Sequence, residues 1–301
     1  MTEWLEICDD RFRAMVLTNA PLETLGEGYR WLEGPVWFAD HECLYVSDVP
    51  NDRILRWTED GGVSVFQAPS GFANGHTRDR QGRLISCLHR DRCLTRTELD
   101  GEITVLVSRY EGKRLNSPND VVCKSDGTIW FSDPPYGIEK DYEGGRQVQE
   151  LPPTLYRLEP ESSTLTIVAN DFDGPNGLAF SPEERWLYVS ETGHEFAAEP
   201  RQCIRRFAVE DDGRLSGGES FCTISPGNAD GIRVDEGGNI WSSAADGIHC
   251  IGPQGELLGK ILVPYPVSNL CFGGRNRSRL FLCASHTLMA IYTNVRGCLR
   301  P

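Results

Sequence analysis

The chain reads as an all-β protein: a six-bladed β-propeller with four-stranded blades, its ring closed by an N-terminal strand. Two observations predict this fold. Six short apolar strands resemble one another, LYVS (44–47), LISC (84–87), IWFS (129–132), LYVS (187–190), IWSS (240–243) and LFLC (280–283). An acid or a carboxamide lies 13 or 14 residues before the end of each, at Glu33, Asn74, Asn119, Asn176, Asp230 and Asn269. A unit of roughly 40–50 residues holding several strands is the mark of a propeller. The repeats run through nearly all of residues 1–301, so a single domain is expected.

Taken in order, residues 1–15 form an N-terminal arm or a short helix. Each repeat then opens with a strand carrying the polar residue, in phrases such as EGPVW, PNDVV, PNGLA and ADGIR. A turn follows, as in DRQGRL (79–84) and KSDGTI (124–129), where Gly takes positive φ cheaply and joins two strands of one blade. A third strand comes next, as in DRILRW (52–57) and TLYRLE (154–159), and then an outer strand such as SVFQA or ITVLVS. The last repeat runs out of chain soon after Tyr292. Because an open edge invites aggregation, the segment around 12–26 is expected to supply its outermost strand. Residues 133–153, rich in Pro, Gly and charge, are too long for a hairpin loop. They are expected to make an excursion over one face, a candidate lid.

Composition narrows the setting. A formal net charge of −14 argues against nucleic acid and anionic membrane as partners, since both need basic patches. No apolar run approaches the roughly 18 residues of a membrane span, and MTEWLEICDD has no signal-peptide core. Eleven cysteines form no CxxC pair and no zinc-finger spacing, which suits free thiols in a reducing cytoplasm. The fitting partner is a small molecule, with the chain a monomer or homodimer.

In a propeller the first strand of each blade lines the central channel, so side chains at one depth converge on the axis. Glu and Asp supply anionic oxygens there, and Asn supplies carbonyl oxygens. That set suits one hard divalent cation, Ca²⁺ first, with Mg²⁺, Mn²⁺ or Zn²⁺ behind it. Glu33, Asn119, Asn176 and Asp230 are the expected metal ligands. Two carboxylates would balance a divalent charge. Asn74 and Asn269 are expected to bind substrate or water, and Asn119 is close enough in rank to share that role. Asp230 is the candidate general base toward water. Asp120 points the opposite way from Asn119 and is expected to form a structural pair. His76 is the candidate channel histidine, His89 a residue of the channel mouth, and Tyr136 a substrate contact from the lid. No G-x-S-x-G, P-loop or dinucleotide fingerprint is present, and His194-Glu195 lacks the second His of HExxH.

The stretches LEGPVWF (32–38), SPNDVV (117–122), IWFSDPPYGI (129–138), GPNGLAFSP (174–182), ADGIRVDEGGNIW (229–241) and YTNVRG (292–297) resemble the gluconolactonase, regucalcin (senescence marker protein) and luciferin-regenerating enzyme family. DPPYG and TNVRG look most like its bacterial gluconolactonase branch. The resemblance implies a six-bladed propeller with one divalent cation held by Glu33, Asn119, Asn176 and Asp230, with Asp230 as base. In that branch the stretch matching 82–92 commonly carries an acid before the His and Gly after it. Here Leu88 and Arg90 stand in those places, and His286 replaces a small or hydroxyl residue. The expected activity is hydrolysis of a sugar lactone. Two other outcomes stay open: a phosphotriesterase using the same site, or a non-catalytic calcium-binding propeller.

Overall fold

The structure, a computed structural model, describes residues 4–193 and 201–298. His194 and Glu195, like the first three residues of the expected arm, lie outside them. Six sheets are arranged around one axis. The inner strand of each blade is at one sheet edge: Leu32–Phe38, Ala73–Arg78, Val121–Cys123, Pro175–Phe180, Ile232–Val234 and Asn269–Gly273. Each inner strand touches the next, and the sixth returns to the first, so the ring is closed.

Every blade is an antiparallel meander from axis to rim. Blade 1 runs Leu32–Phe38, Cys43–Asp48, Arg53–Thr58 and Gly62–Gln67. Alternation buries one face of each strand against the neighbouring blade, which is why the core is a series of inter-blade layers. Trp130, Phe180 and Leu187 fill one such layer, and Trp57, Phe281 and Leu288 another.

Closure is double. Glu23–Glu27 pairs with Thr287–Tyr292 as the outer strand of blade 6, as the sequence suggested. Arg279, almost fully buried, clamps that seam. Its guanidinium bonds Glu23 (2.7 Å) and Glu59 (2.5 Å) and lies over the rings of Trp57, Phe281 and Tyr292. The N-terminal arm differs from the expectation of a simple arm or helix. Leu5–Ile7 adds a fifth strand to blade 5, and a four-residue helix, Asp10–Arg13, follows. The helix inserts Phe12 over Gly259, where any Cβ would sit 2.1 Å from the Phe12 ring. Among the described residues no helix is long and apolar enough to cross a membrane.

Candidate active site

The polar residue of each repeat falls where its inner strand begins, and local backbone explains why it faces the axis. Ladder register slips at Glu33/Val36, Ala73/His76 and Pro175/Leu178. A bulge of this kind re-aims side chains at a strand end. Glycine follows the polar residue in four blades because neighbouring inner strands nearly touch. Gly75 donates its N–H to Asn119 O (2.8 Å), and a Cβ on it would lie 2.3 Å from that oxygen. Gly177 stands in the same relation to Asp230 O.

Four acids, three of them buried and Asp52 half-buried, fix the approach to four of these positions. Asp48 accepts the N–H of Arg30 (3.0 Å), Asp52 that of Phe72 (2.7 Å), Asp133 that of Asn116 (2.8 Å) and Glu191 that of Gly174 (2.7 Å). Each anchored N–H lies two or three residues before Glu33, Asn74, Asn119 or Asn176. A carboxylate bound to backbone N–H groups is a strong, short-range tether.

Glu33, Asn74, Asn119, Asn176 and Asn269 are all buried, and Asp230 is half-buried beside them. Glu33 Oε2 accepts from Asn269 Nδ2 (3.0 Å) and from Gly34 N (3.1 Å). Asn176 hydrogen-bonds the Asp230 carboxylate. Asn74 Nδ2 donates to Asn119 O (3.1 Å). Both carboxyl groups are pushed upward in pKa, first by loss of water and then by like charge. Asp230 is raised by Glu33, Glu143 and Asp120, and Glu33 by Asp120 and Glu143. Among the described residues no cation figures in the causes that shift either acid.

One step further along the axis the chemistry changes. Asp120 Oδ2 meets Arg233 Nη1 at 3.4 Å, and its Oδ1 accepts Val121 N (2.9 Å). Asp120 is thus a structural pair, as its strand phase predicted. Beyond Arg233 the channel opens into a cavity of about 350 Å³ lined by Trp37, Val122, Phe180 and Phe272.

Several expected substrate contacts are otherwise engaged. His76 is buried with both ring nitrogens taken, Nε2 by Ser47 Oγ and Nδ1 by Ser86 Oγ, each at 2.8 Å. Burial lowers its pKa to about 3. It is a neutral strut between two strands rather than a free channel histidine. Asn269 spends its NH₂ on Glu33 and its Oδ1 on Leu270 N (2.9 Å), so it orients Glu33. Tyr136 directs its hydroxyl at the carbonyls of Gly174 and Gly193, each at 3.0 Å. It pins the loop to blade 4, one turn from Asn176. His89 is fully buried, and Nδ1 must donate to Glu143 O (3.1 Å) because a carbonyl only accepts. Its Nε2 has no partner.

Sequence reasoning missed Glu143. It sits in the 133–153 excursion, and its charge bears on both Glu33 and Asp230. Only three-dimensional folding brings it there, since no repeat or motif marks it.

The sequence of residues 31–286 matches the family described as SMP-30/gluconolactonase/LRE-like region. This chain belongs to that family. A gluconolactonase of Zymomonas mobilis is 32% identical over 95% of this chain and 85% of its own. A pentonolactonase of Haloferax volcanii is 29% identical over 83% of this chain and 80% of its own. The solved structure of a gluconolactonase from Xanthomonas campestris superposes with a TM-score of 0.91 at 39% identity, covering 97% of this chain and 95% of the other.

The donor set at the ring fits a divalent cation. Two carboxylates crowd together without a counter-charge, and neutral amides stand beside them. Among the described residues no cluster of three or more His, Cys, Asp or Glu side chains could hold a metal, so the amides are essential to any such site. Oxygen-only sets of this kind are what hard cations take.

Proposed function

We propose that this chain is a metal-dependent hydrolase that opens sugar lactones such as glucono-1,5-lactone. It is a hydrolase of carboxylic esters by family, and the lactonase relatives support the substrate class. The observation that carries the metal reading is the uncompensated pair Glu33 and Asp230 among buried amides. Glu33, Asn119, Asn176 and Asp230 would hold the ion, Ca²⁺ by preference and Mg²⁺, Mn²⁺ or Zn²⁺ otherwise. Such an ion supplies Lewis acidity toward a carbonyl oxygen and acidifies bound water.

The chain's own residues do the rest. Asn269 holds Glu33 in one orientation, and Asn176 does the same for Asp230. Asp230, half-buried at the channel mouth, takes the proton of the attacking water. The close-set Gly75 and Gly177 keep the inner strands near enough for all six blades to act as one unit. His89 and the 133–153 excursion wall one side of the mouth. A small-molecule substrate, a cytoplasmic setting and a monomer or homodimer complete the reading. Eleven free cysteines suit that compartment.

Asp230→Asn tests the reading. The variant should lose about 10²–10⁴-fold in kcat on glucono-1,5-lactone, the span that a positioned general base contributes. The assay uses metal-stripped protein resupplied with each ion, and includes a phosphotriester as a control substrate. Full activity in the variant, or a higher kcat/KM on the phosphotriester, would sink it.

A further inference from the structure

We propose that Glu143 makes this site selective for hydroxyl-rich lactones over bare ones. The inference rests on the lactonase reading above and names the part of the substrate that the chain recognises.

The loop that carries Glu143 is fastened across the mouth of the channel. His89 and Arg90 follow the second strand of blade 2, at the end where Ala73 pairs with Leu88 and the ring residues lie. Gly137 and Gly144 press on the His89 ring: a Cβ on Gly137 would lie 2.4 Å from His89 Cγ, and one on Gly144 3.3 Å from His89 Cβ. Arg90 Nε donates to Gly144 O (3.1 Å), and Gln147 Nε2 donates to Arg90 O (3.0 Å). On the opposite side Tyr142 donates its hydroxyl to Arg30 O (3.3 Å), with the Arg30 guanidinium 5.3 Å from its ring centre. Arg30 is three residues before Glu33. The loop therefore bridges blades 2 and 1 beside the ring, and Arg90 has a use here that a Gly could not serve.

Glu143 sits in the middle of that bridge with 29% of its side chain exposed. Its neighbours Tyr142 and Gly144 are fastened to Arg30 and against His89, which sets Glu143 over the mouth, and its charge bears on both Glu33 and Asp230. His89 Nδ1, 3.9 Å from Glu143 Oε2, is no counter-ion, because its proton goes to the Glu143 carbonyl and burial keeps the ring neutral. His89 Nε2 is fully buried and closed to a ligand at the mouth. One wall of the mouth therefore carries a partly exposed carboxylate, an acceptor open to a donor from a bound molecule. A lactone's carbonyl and ring oxygens are acceptors too and cannot pair with it. Hydroxyl groups can, and a site built to bind a hydroxyl rejects the analogue that lacks it.

The test compares kcat/KM for glucono-1,5-lactone and for δ-valerolactone, which carries no hydroxyl, at saturating divalent ion. Wild type, Glu143→Gln and Glu143→Leu are assayed, with thermal midpoints as a folding control. The expected result is a fall of about 10–100-fold on gluconolactone, the worth of a hydrogen bond to a charged group. Activity on δ-valerolactone should hold within about twofold or rise, since that substrate offers Glu143 no hydroxyl donor. Equal losses on both lactones would overturn the inference, because Glu143 would then act through the ring's electrostatics alone. No loss on gluconolactone would overturn it as well. A wild type that opens neither lactone would instead bring down the lactonase reading, and this inference with it.

Discussion

Two pairs of charged groups occupy the same channel, one strand step apart, and they are treated differently. Asp120 is fully buried, but it has Arg233 at 3.4 Å and a backbone N–H at 2.9 Å. Glu33 and Asp230 have amides, a backbone N–H and each other, and among the described residues neither forms a salt bridge. Burying like charges together costs several kcal/mol unless a counter-charge joins them. Asp120 brings its counter-charge from the chain itself, and its pair is structural. In the proposed function the Glu33–Asp230 pair leaves that charge to be supplied from outside, by a bound cation. The contrast separates adjacent residues, Asn119 and Asp120, that composition alone would treat alike.

The largest stability effect should come from breaking the self-sufficient pair. Arg233→Ala leaves Asp120 buried without a partner and should cost about 3 kcal/mol, the lower end of the range for buried pairs, since 18% of the Arg233 side chain is exposed. Urea unfolding measures it, and a loss below about 0.5 kcal/mol, the size of an ordinary surface change, would mean the pair is screened like one. Asp230→Asn should do the reverse, removing like-charge repulsion and leaving the metal-free protein at least as stable while activity falls.

A smaller effect concerns pH. Glu33 and Asp230 have folded-state pKa values above their unfolded ones, and burial raises Glu143 to about 7. Below about pH 6.5 the buried neutral His76 and His89 oppose these acids, so the acids set the proton balance in the window just above it, where they keep protons that the unfolded chain has lost. Stability of the metal-free protein should fall as pH rises through that window. Added divalent ion should restore it most at the high end, where the carboxylates are free to bind. Thermal midpoints between about pH 6.5 and 8, with and without ion, check this. A metal-free midpoint that rises with pH would contradict it.

Much of this arrangement was legible in the chain. The six polar positions could be found because each lies 13 or 14 residues before a recognisable strand, and a propeller turns that spacing into a common depth. The closing strand at Glu23–Glu27 could be inferred from a last repeat that lacked one. Leu5–Ile7 could not, since three residues are too few to show alternation. Partners of the polar side chains were equally hidden. His76 lies two residues from Asn74 but is held by Ser47 and Ser86 of neighbouring strands. Asn269 meets Glu33 across the ring's closure, 236 positions apart. The departures at Leu88 and Arg90 looked like changes in substrate chemistry. In the fold, Arg90 is a fastening for the loop that delivers Glu143, and no periodicity connects residues 90 and 143.

Calorimetric titration of Ca²⁺ into metal-stripped protein tests the central claim most directly, with Glu33→Gln and Asp230→Asn beside the wild type. The account predicts one ion per wild-type chain and at least a tenfold weaker affinity in each variant, roughly the 1.4 kcal/mol of a tenfold step, with circular dichroism unchanged. Equal affinity in all three proteins, or no binding to the wild type, would contradict it.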